Sequence, residues 1–252
     1  MNLNGISSYL GLAFVLLFFG LVILFIFLGR RQKTHNFREL PGFARLRRLI
    51  GLTVEAGKRI HVSLGRGGIM GVPGASALVG LTVLDRIARE ASVSDRPPLA
   101  TSGESVVNIL SQDTLRSAYQ SVNTQGQFDP TSGRISGLTP FSYAAGTLPV
   151  IHDEQVAANI LVGHMGCEAV LLLEAGEQSA STTLAGTDHL PAQAIYFGAA
   201  QDVLIGEEFY AAGAYMGAGP AHIASLRAQD FLRWVLVAGM ILGALLKLVG
   251  LL

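Results

Sequence analysis

Residues Ile60–Ala91 read IHVSLGRGGIMGVPGASALVGLTVLDRIAREA. The branched side chains of Ile60–Leu64 predict a strand, and the glycines crowded into Gly65–Gly71 predict a tight loop after it. Gly74–Ala91 then places Val79, Val83, Leu84 and Ile87 on one arc, opposite Asp85, Arg86, Arg89 and Glu90, the pattern of an amphipathic helix. Pro97–Thr101 predicts a second short strand. Thr101-Ser102-Gly103-Glu104 has the spacing of a capping box that opens a helix running to about Ser121. Strand, helix, strand, helix is the signature of an α/β sheet layered with helices.

Further along, Asp129-Pro130-Thr131-Ser132-Gly133 is a turn cluster, and the Gly- and Pro-punctuated stretch to Ile151 reads as strands joined by tight turns. Ala158–Val162 and Thr182–Ala185 predict strands. Cys167–Ala175, Pro191–Ala200 and Asp202–Met216 predict helices. Gly217-Ala218-Gly219-Pro220 is the last strong break, and from Ala221 one helix is expected to continue into the apolar C-terminal segment.

Outside this core lie two apolar segments. Tyr9–Leu28, YLGLAFVLLFFGLVILFIFL, is twenty residues without a charge, enough at 1.5 Å per residue to cross the roughly 30 Å hydrocarbon core of a bilayer. Its start carries no basic side chain and Gly29-Arg30-Arg31-Gln32-Lys33 follows it, so it reads as an anchor and not as a cleaved signal peptide. Phe231–Leu252 is the second span. Arg233 and Trp234 suit its headgroup boundary, and Lys247 is near enough to the end to snorkel outward. Gly239 and Gly243 form a G-x-x-x-G pair that permits close approach of another helix, either the first span or a copy of the second.

Charge orients the two spans. The chain has 18 basic and 18 acidic residues and no net charge. Residues 1–60 nonetheless hold nine bases (Arg30, Arg31, Lys33, Arg38, Arg45, Arg47, Arg48, Lys58, Arg59) against Glu39 and Glu55. From Ile135 to Leu226 there is no base at all, against nine acids. Positive-inside bias, with Arg30, Arg31 and Lys33 as the inner flank, predicts a cytoplasmic α/β domain inserted between two transmembrane helices, both termini outside. The expected division is an anchor over 1–29, a basic juxtamembrane collar over 30–59, the α/β domain over 60–220 and a helix entering the second anchor over 221–252. Phe37, Leu40, Phe43, Leu46 and Leu49 interleave with the collar's arginines, so the collar either lies on an anionic leaflet or packs on its own domain.

Composition excludes several classes. Half of the residues are apolar and 14 % are charged, against disorder; a single cysteine, Cys167, excludes a disulfide framework; zero net charge argues against a nucleic-acid partner. No complete catalytic motif stands in the chain, and no cofactor is specified. The Gly65–Gly71 loop, between a strand and a helix, is placed for backbone amides to meet a phosphate, with Gly65, Gly67, Gly68 and Gly71 as the candidates. Met70 breaks the dinucleotide pattern, no Gly-Lys-Ser/Thr follows, and Glu104, at the next strand's end, reads as a cap; a close-approach loop is the simpler account. His164-x-x-Cys167, His152-Asp153-Glu154 and Asp188-His189 bring metal-binding side chains into the base-free zone, His164 and Cys167 first among them, although no recognised ligand spacing repeats.

The runs Leu40-Pro41-Gly42-Phe43, Ile50–Gly65 (IGLTVEAGKRIHVSLG), Ser111-Gln112-Asp113-Thr114, Leu138–Thr147 (LTPFSYAAGT) and Ala224–Asp230 (ASLRAQD) resemble an uncharacterised bacterial family, a domain of unknown function in membrane proteins. The likeness runs through nearly the whole chain and both anchors. It implies a bacterial inner-membrane protein and carries over no activity or site residue. The segregated charge and the small-residue helices favour a non-enzymatic, self-associating module that organises a membrane assembly, with the lipid bilayer, further copies of itself and other membrane proteins as partners. The alternative is a membrane-tethered domain that binds a nucleotide or phosphometabolite through the Gly65–Gly71 loop.

Overall fold

The computed structural model describes residues 3–29 and 38–248. Arg30, Arg31 and Lys33 lie outside them. The described chain forms two compact units, residues 38–216 and the pair of terminal helices.

In the first unit, helix α2 (Pro41–Glu55) leads into strand β1 (Arg59–Gly65), helix α3 (Gly74–Ala91), strand β2 (Leu99–Ser102), helix α4 (Ser105–Ser121) and strand β3 (Gly133–Ile135). Helix α5 (Pro140–Asp153), strand β4 (Val156–His164), helix α6 (Ala169–Gln178), strand β5 (Thr182–Thr187), helix α7 (Leu190–Ala199) and strand β6 (Asp202–Ile205) follow. Two single turns of helix, α8 (Glu207–Tyr210) and α9 (Ala212–Tyr215), close the unit. All strand pairs are parallel, in the order β3-β2-β1-β4-β5-β6. Val62 of β1 sits in register with Ala100 of β2 and Ile160 of β4, so β1 is central and buried on both faces.

The period-two alternation of β1 divides the core. Ile60, Val62 and Leu64 join Ile160 and Leu184 under α2, α3 and α4, where Phe43, Leu46, Ile50, Leu84, Ile87 and Leu115 are buried. Leu161 and Ala185 look to the opposite face and meet Tyr143, Ile151, Leu172 and Tyr196 of α5, α6 and α7. Each fully buried large apolar side chain contributes about 1.5–3 kcal/mol. Helix α3 lies close on the sheet because Gly80 has no side chain: a Cβ there would meet Leu64 Cδ2 at 3.1 Å.

Three sequence expectations change. The stretch to Ile151 is one short strand and a helix, because Thr139 and Ser142 form a reciprocal capping box and Pro140 starts α5 where its missing N–H is harmless. Asp202–Met216 opens with edge strand β6, and Gly206 at φ 59° turns the chain into α8. The cap of α4 is Glu104, whose carboxylate accepts from Val107 N at 2.8 Å; Thr101 lies within β2. Of the two readings of the basic collar, its helix α2 packs on its own domain. Phe43 stacks on Tyr215 with centroids 5.0 Å apart, and Arg45 pairs with Asp202.

The second unit consists of α1 (Leu3–Gly29) and α10 (Pro220–Leu248), both long and apolar enough to cross a membrane, with mean hydropathies of 3.1 and 1.9 over the qualifying windows. They pack on each other, Phe25 meeting Phe231 edge to face at 6.4 Å. Helix α10 runs unbroken after Gly217 and Gly219, both at positive φ.

Candidate functional site

The chain builds β1, β2 and β3 outward on one side and returns to lay β4 against the other flank of β1. The strand order therefore reverses between β1 and β4, whose carboxyl ends stay paired through Gly65 and His164, and this switch point is where open α/β sheets bind ligands. The Gly65–Gly71 loop lies at this point and leads into α3. His164 ends β4 beside it.

The glycines have distinct reasons. Gly65 takes φ 70°, and a side chain there would overlap the His164 carbonyl. At Gly67 a Cβ would stand 2.7 Å from His164 Cβ and 3.0 Å from Pro73 Cβ, and at Gly68 it would stand 3.4 Å from Glu104 Cγ. Gly71, at φ 98°, faces open space on most sides. Close approach of the protein to itself thus explains Gly65 and Gly67. The loop's amides remain available: among the described residues, those of Gly67, Gly68, Ile69 and Met70 donate to no backbone carbonyl.

Two polar clusters flank the loop. In the first, Arg66 crosses the end of β1 and its Nε donates to Glu168 Oε1 at 2.9 Å, while the Gly166 amide donates to the same oxygen at 2.9 Å. Glu168 is buried. Burial opposes its ionisation, but the Gly166 amide and the Arg66 guanidinium hold its carboxyl below the usual range. In the second, His164 Nδ1 lies 3.1 Å from Asp188 Oδ1, the Tyr210 hydroxyl donates to Asp188 Oδ2 at 3.4 Å, and the His164 and His189 rings are 4.7 Å apart. Burial again works against ionisation of Asp188, and the nearby Ser76 hydroxyl and His164 outweigh it. Ser76, in the first turn of α3, faces Asp188, and its hydroxyl favours the charged carboxylate. His189 Nδ1 is buried and unpaired among the described residues. A buried imidazole nitrogen without a partner leaves a hydrogen bond that another group can supply.

Beneath this edge of the sheet runs a chain of hydrogen bonds. Asn159 Nδ2 donates to Leu172 O at 3.3 Å, which turns its Oδ1 toward His61 Nδ1 at 2.8 Å. His61 Nε2 then meets Thr101 Oγ1 at 2.9 Å, and Tyr143 OH lies 3.3 Å from Thr101 Oγ1 and 2.5 Å from Ser63 Oγ. Buried within this chain of hydrogen bonds, His61 is held neutral. Burial lowers the imidazole pKa to about 4.

The structure thus brings Gly65, Gly67, Gly68, Gly71 and His164 to the carboxyl edge of β1 and β4. Cys167 is exposed in the turn before α6, and no group of three metal-ligating side chains forms among the described residues. A Cβ at Gly239 or Gly243 would meet nothing within 4 Å, so this pair does not pack on α1. Trp234 is largely exposed on α10, where Arg233 precedes it and Lys247 lies in the last turn. Ser76, Arg66 and Glu168 escaped the sequence reading. Ser76 carried a signal, as a hydroxyl in the first turn after a glycine loop; Glu168 carried none, since only the tertiary fold brings it to Arg66.

A six-stranded parallel sheet of this order, covered on both faces and flanked in sequence by two apolar helices, defines a doubly wound α/β domain joined to a candidate membrane anchor. The chain belongs to the family described as Domain of unknown function (DUF6754), whose model matches residues 2–252. No curated protein and no solved structure matches it.

Proposed function

We propose that residues 38–216 form a membrane-tethered binding domain for a phosphorylated small molecule of the nucleotide or phosphometabolite class. It is supported by the Gly65–Gly71 loop at the switch between β1 and β4, whose Gly67–Met70 amides donate to no backbone carbonyl among the described residues, and by the buried, unpartnered His189 Nδ1 near it. The loop amides and the amino end of the 18-residue helix α3 favour an anion. Helices α1 and α10 anchor the domain on the cytoplasmic side of a bacterial inner membrane, with both termini outside, in keeping with the basic flank. A thermal-shift screen of nucleotides and phosphorylated metabolites on the detergent-extracted chain tests the reading. A ligand at a hundred times its Kd stabilises the fold by about 2.7 kcal/mol, and Ser76→Ala is expected to weaken that ligand. Absence of any stabilisation at millimolar ligand refutes the proposal.

Self-association is a second reading, favoured by Met70, Val72, Phe141 and Leu190, apolar side chains left 73–93 % exposed on loops and helix starts at the carboxyl edge. The head-to-tail form of that reading loses support, because Arg45–Asp202, Arg59–Glu154 and Arg66–Glu168 pair basic and acidic regions within one chain. Mass photometry of the extracted protein tests it, and a monomer at every concentration refutes it.

A further inference from the structure

The exposed apolar surface of residues 38–216 is gathered on one side. In a parallel sheet each strand ends, and the helix after it begins, at the carboxyl edge, and there Met70, Val72, Ile109, Leu138, Phe141 and Leu190 stand exposed. Elsewhere on this unit only Leu52, Val93 and Phe197, among the described large apolar side chains, are exposed. We infer that the carboxyl edge docks on the surface of a lipid bilayer, with its apolar side chains in the interfacial layer; the inference rests on reading α1 and α10 as membrane spans, and it does not depend on an anion in the glycine loop. The chain enters and leaves the unit at this same edge. Helix α2 ends where β1 begins, on the amino side, so its own start lies about 22 Å away on the carboxyl side, where Gly42 stands against Leu204 of β6. Helix α9 follows β6 on that side, and the Tyr215 hydroxyl donates to the Arg38 carbonyl at 2.7 Å, which ties the two exits together. Charge at the edge is sparse. On the connections after the strands and in the helix turns they feed, Glu168 is buried, Glu104, Asp188 and Glu208 are half-buried, and Glu207 is the only exposed acid among the described residues. Helices α3, α5 and α7 carry no acid at the cap or in the first turn, where the helix dipole favours one, so their positive ends are left for the phosphates of a headgroup layer. The apolar side chains come from separate connections along the sheet edge, β1–α3, β3–α5 and β5–α7, a spread that fits a broad, flat surface. A second copy is the rival occupant.

The test uses the full chain. Alkaline carbonate extraction of membranes comes first: release without detergent refutes the spans, and with them the docked edge. The chain carrying Cys167→Ser and one of Met70→Cys, Phe141→Cys, Leu190→Cys, Val93→Cys or Phe197→Cys is then labelled with a fluorophore and placed in phosphatidylcholine nanodiscs. A quencher attached to the lipid near its headgroup should act about threefold more strongly at positions 70, 141 and 190 than at 93 and 197, and aqueous iodide in the reverse order. Adding Val72→Asp and Leu138→Asp, both on the exposed edge and outside the core, should return the label at position 190 to iodide. Equal lipid quenching at all labelled positions overturns the inference. So does shielding of 70, 141 and 190 from both quenchers, the mark of a second copy, or protection that arises only when phosphatidylglycerol is added, since apolar burial needs no anionic lipid.

Discussion

Acidification from pH 7 to pH 5 should destabilise the α/β domain through a single buried side chain. His61 is fully buried, donates through Nδ1 and accepts at Nε2, and its pKa falls from 6.5 to about 4. In the unfolded chain the imidazole titrates normally. Between pH 6.5 and 4 the unfolded state therefore binds a proton that the folded state refuses, so stability is full above 6.5 and declines as the pH falls. The linkage relation gives a loss of about 2 kcal/mol by pH 5 and about 3 kcal/mol by pH 4. Glu168 and Asp188, whose carboxyls are held below their usual range, lose their contribution only at lower pH, so the window from 6.5 to 5 isolates His61. Urea denaturation of the detergent-extracted chain, followed by near-ultraviolet circular dichroism of the buried tyrosines, reads the effect. With a slope of about 2 kcal/mol per molar urea, the midpoint should fall by about 1 M. His61→Gln should be less stable at pH 7, since it disturbs the hydrogen-bond chain, but should lose the acid dependence within the window. Coincident wild-type midpoints at pH 7 and pH 5, or the same acid shift in His61→Gln, would refute the reasoning.

Three further outcomes follow from the packing. Gly163 takes φ 125° and its missing side chain would overlap the Leu64 carbonyl, so Gly163→Ala should cost at least about 2 kcal/mol, read as a fall in the urea midpoint. Glu168→Ala strips the Arg66 guanidinium and the Gly166 amide of their shared acceptor; because Arg66 keeps partial access to water, a loss of about 1–3 kcal/mol is expected by the same assay. Ala180 holds φ 52° in the turn before β5, and Ala180→Gly should raise the melting temperature through a gain of up to about 1 kcal/mol; a lower melting temperature would show that the turn carries no strain.

The elements legible in the sequence are those whose side chains repeat. β1, α3, β4, β5 and α7 were read close to their ends, because Ile60–Leu64 and the Val79–Ile87 arc leave little choice of period. β3 and β6, with three and four residues at the two sheet edges, are too short for alternation to register, and the sheet's full width is invisible without them. Helix α5 was hidden by Pro140, Gly146 and Pro149, residues that read as breakers until Thr139 and Ser142 are seen to cap its start. The glycine loop is legible as a loop, and His164, a metal-ligand candidate by sequence, stands beside Asp188 at the carboxyl edge. The polar face of β1 was legible only as polar: His61 and Ser63 alternate with apolar residues as on a solvent-facing strand, yet α5 covers them and Tyr143 supplies the partner.

The central claim is that the carboxyl edge of β1 and β4 binds an anion-bearing ligand. Backbone amide shift mapping during titration with a nucleoside diphosphate tests it most directly. Saturable shifts confined to Gly67–Met70, the first turn of α3 and the residues around His164 and His189 are predicted. Unmoved amides at that edge at millimolar ligand, or shifts only elsewhere in the chain, would contradict it.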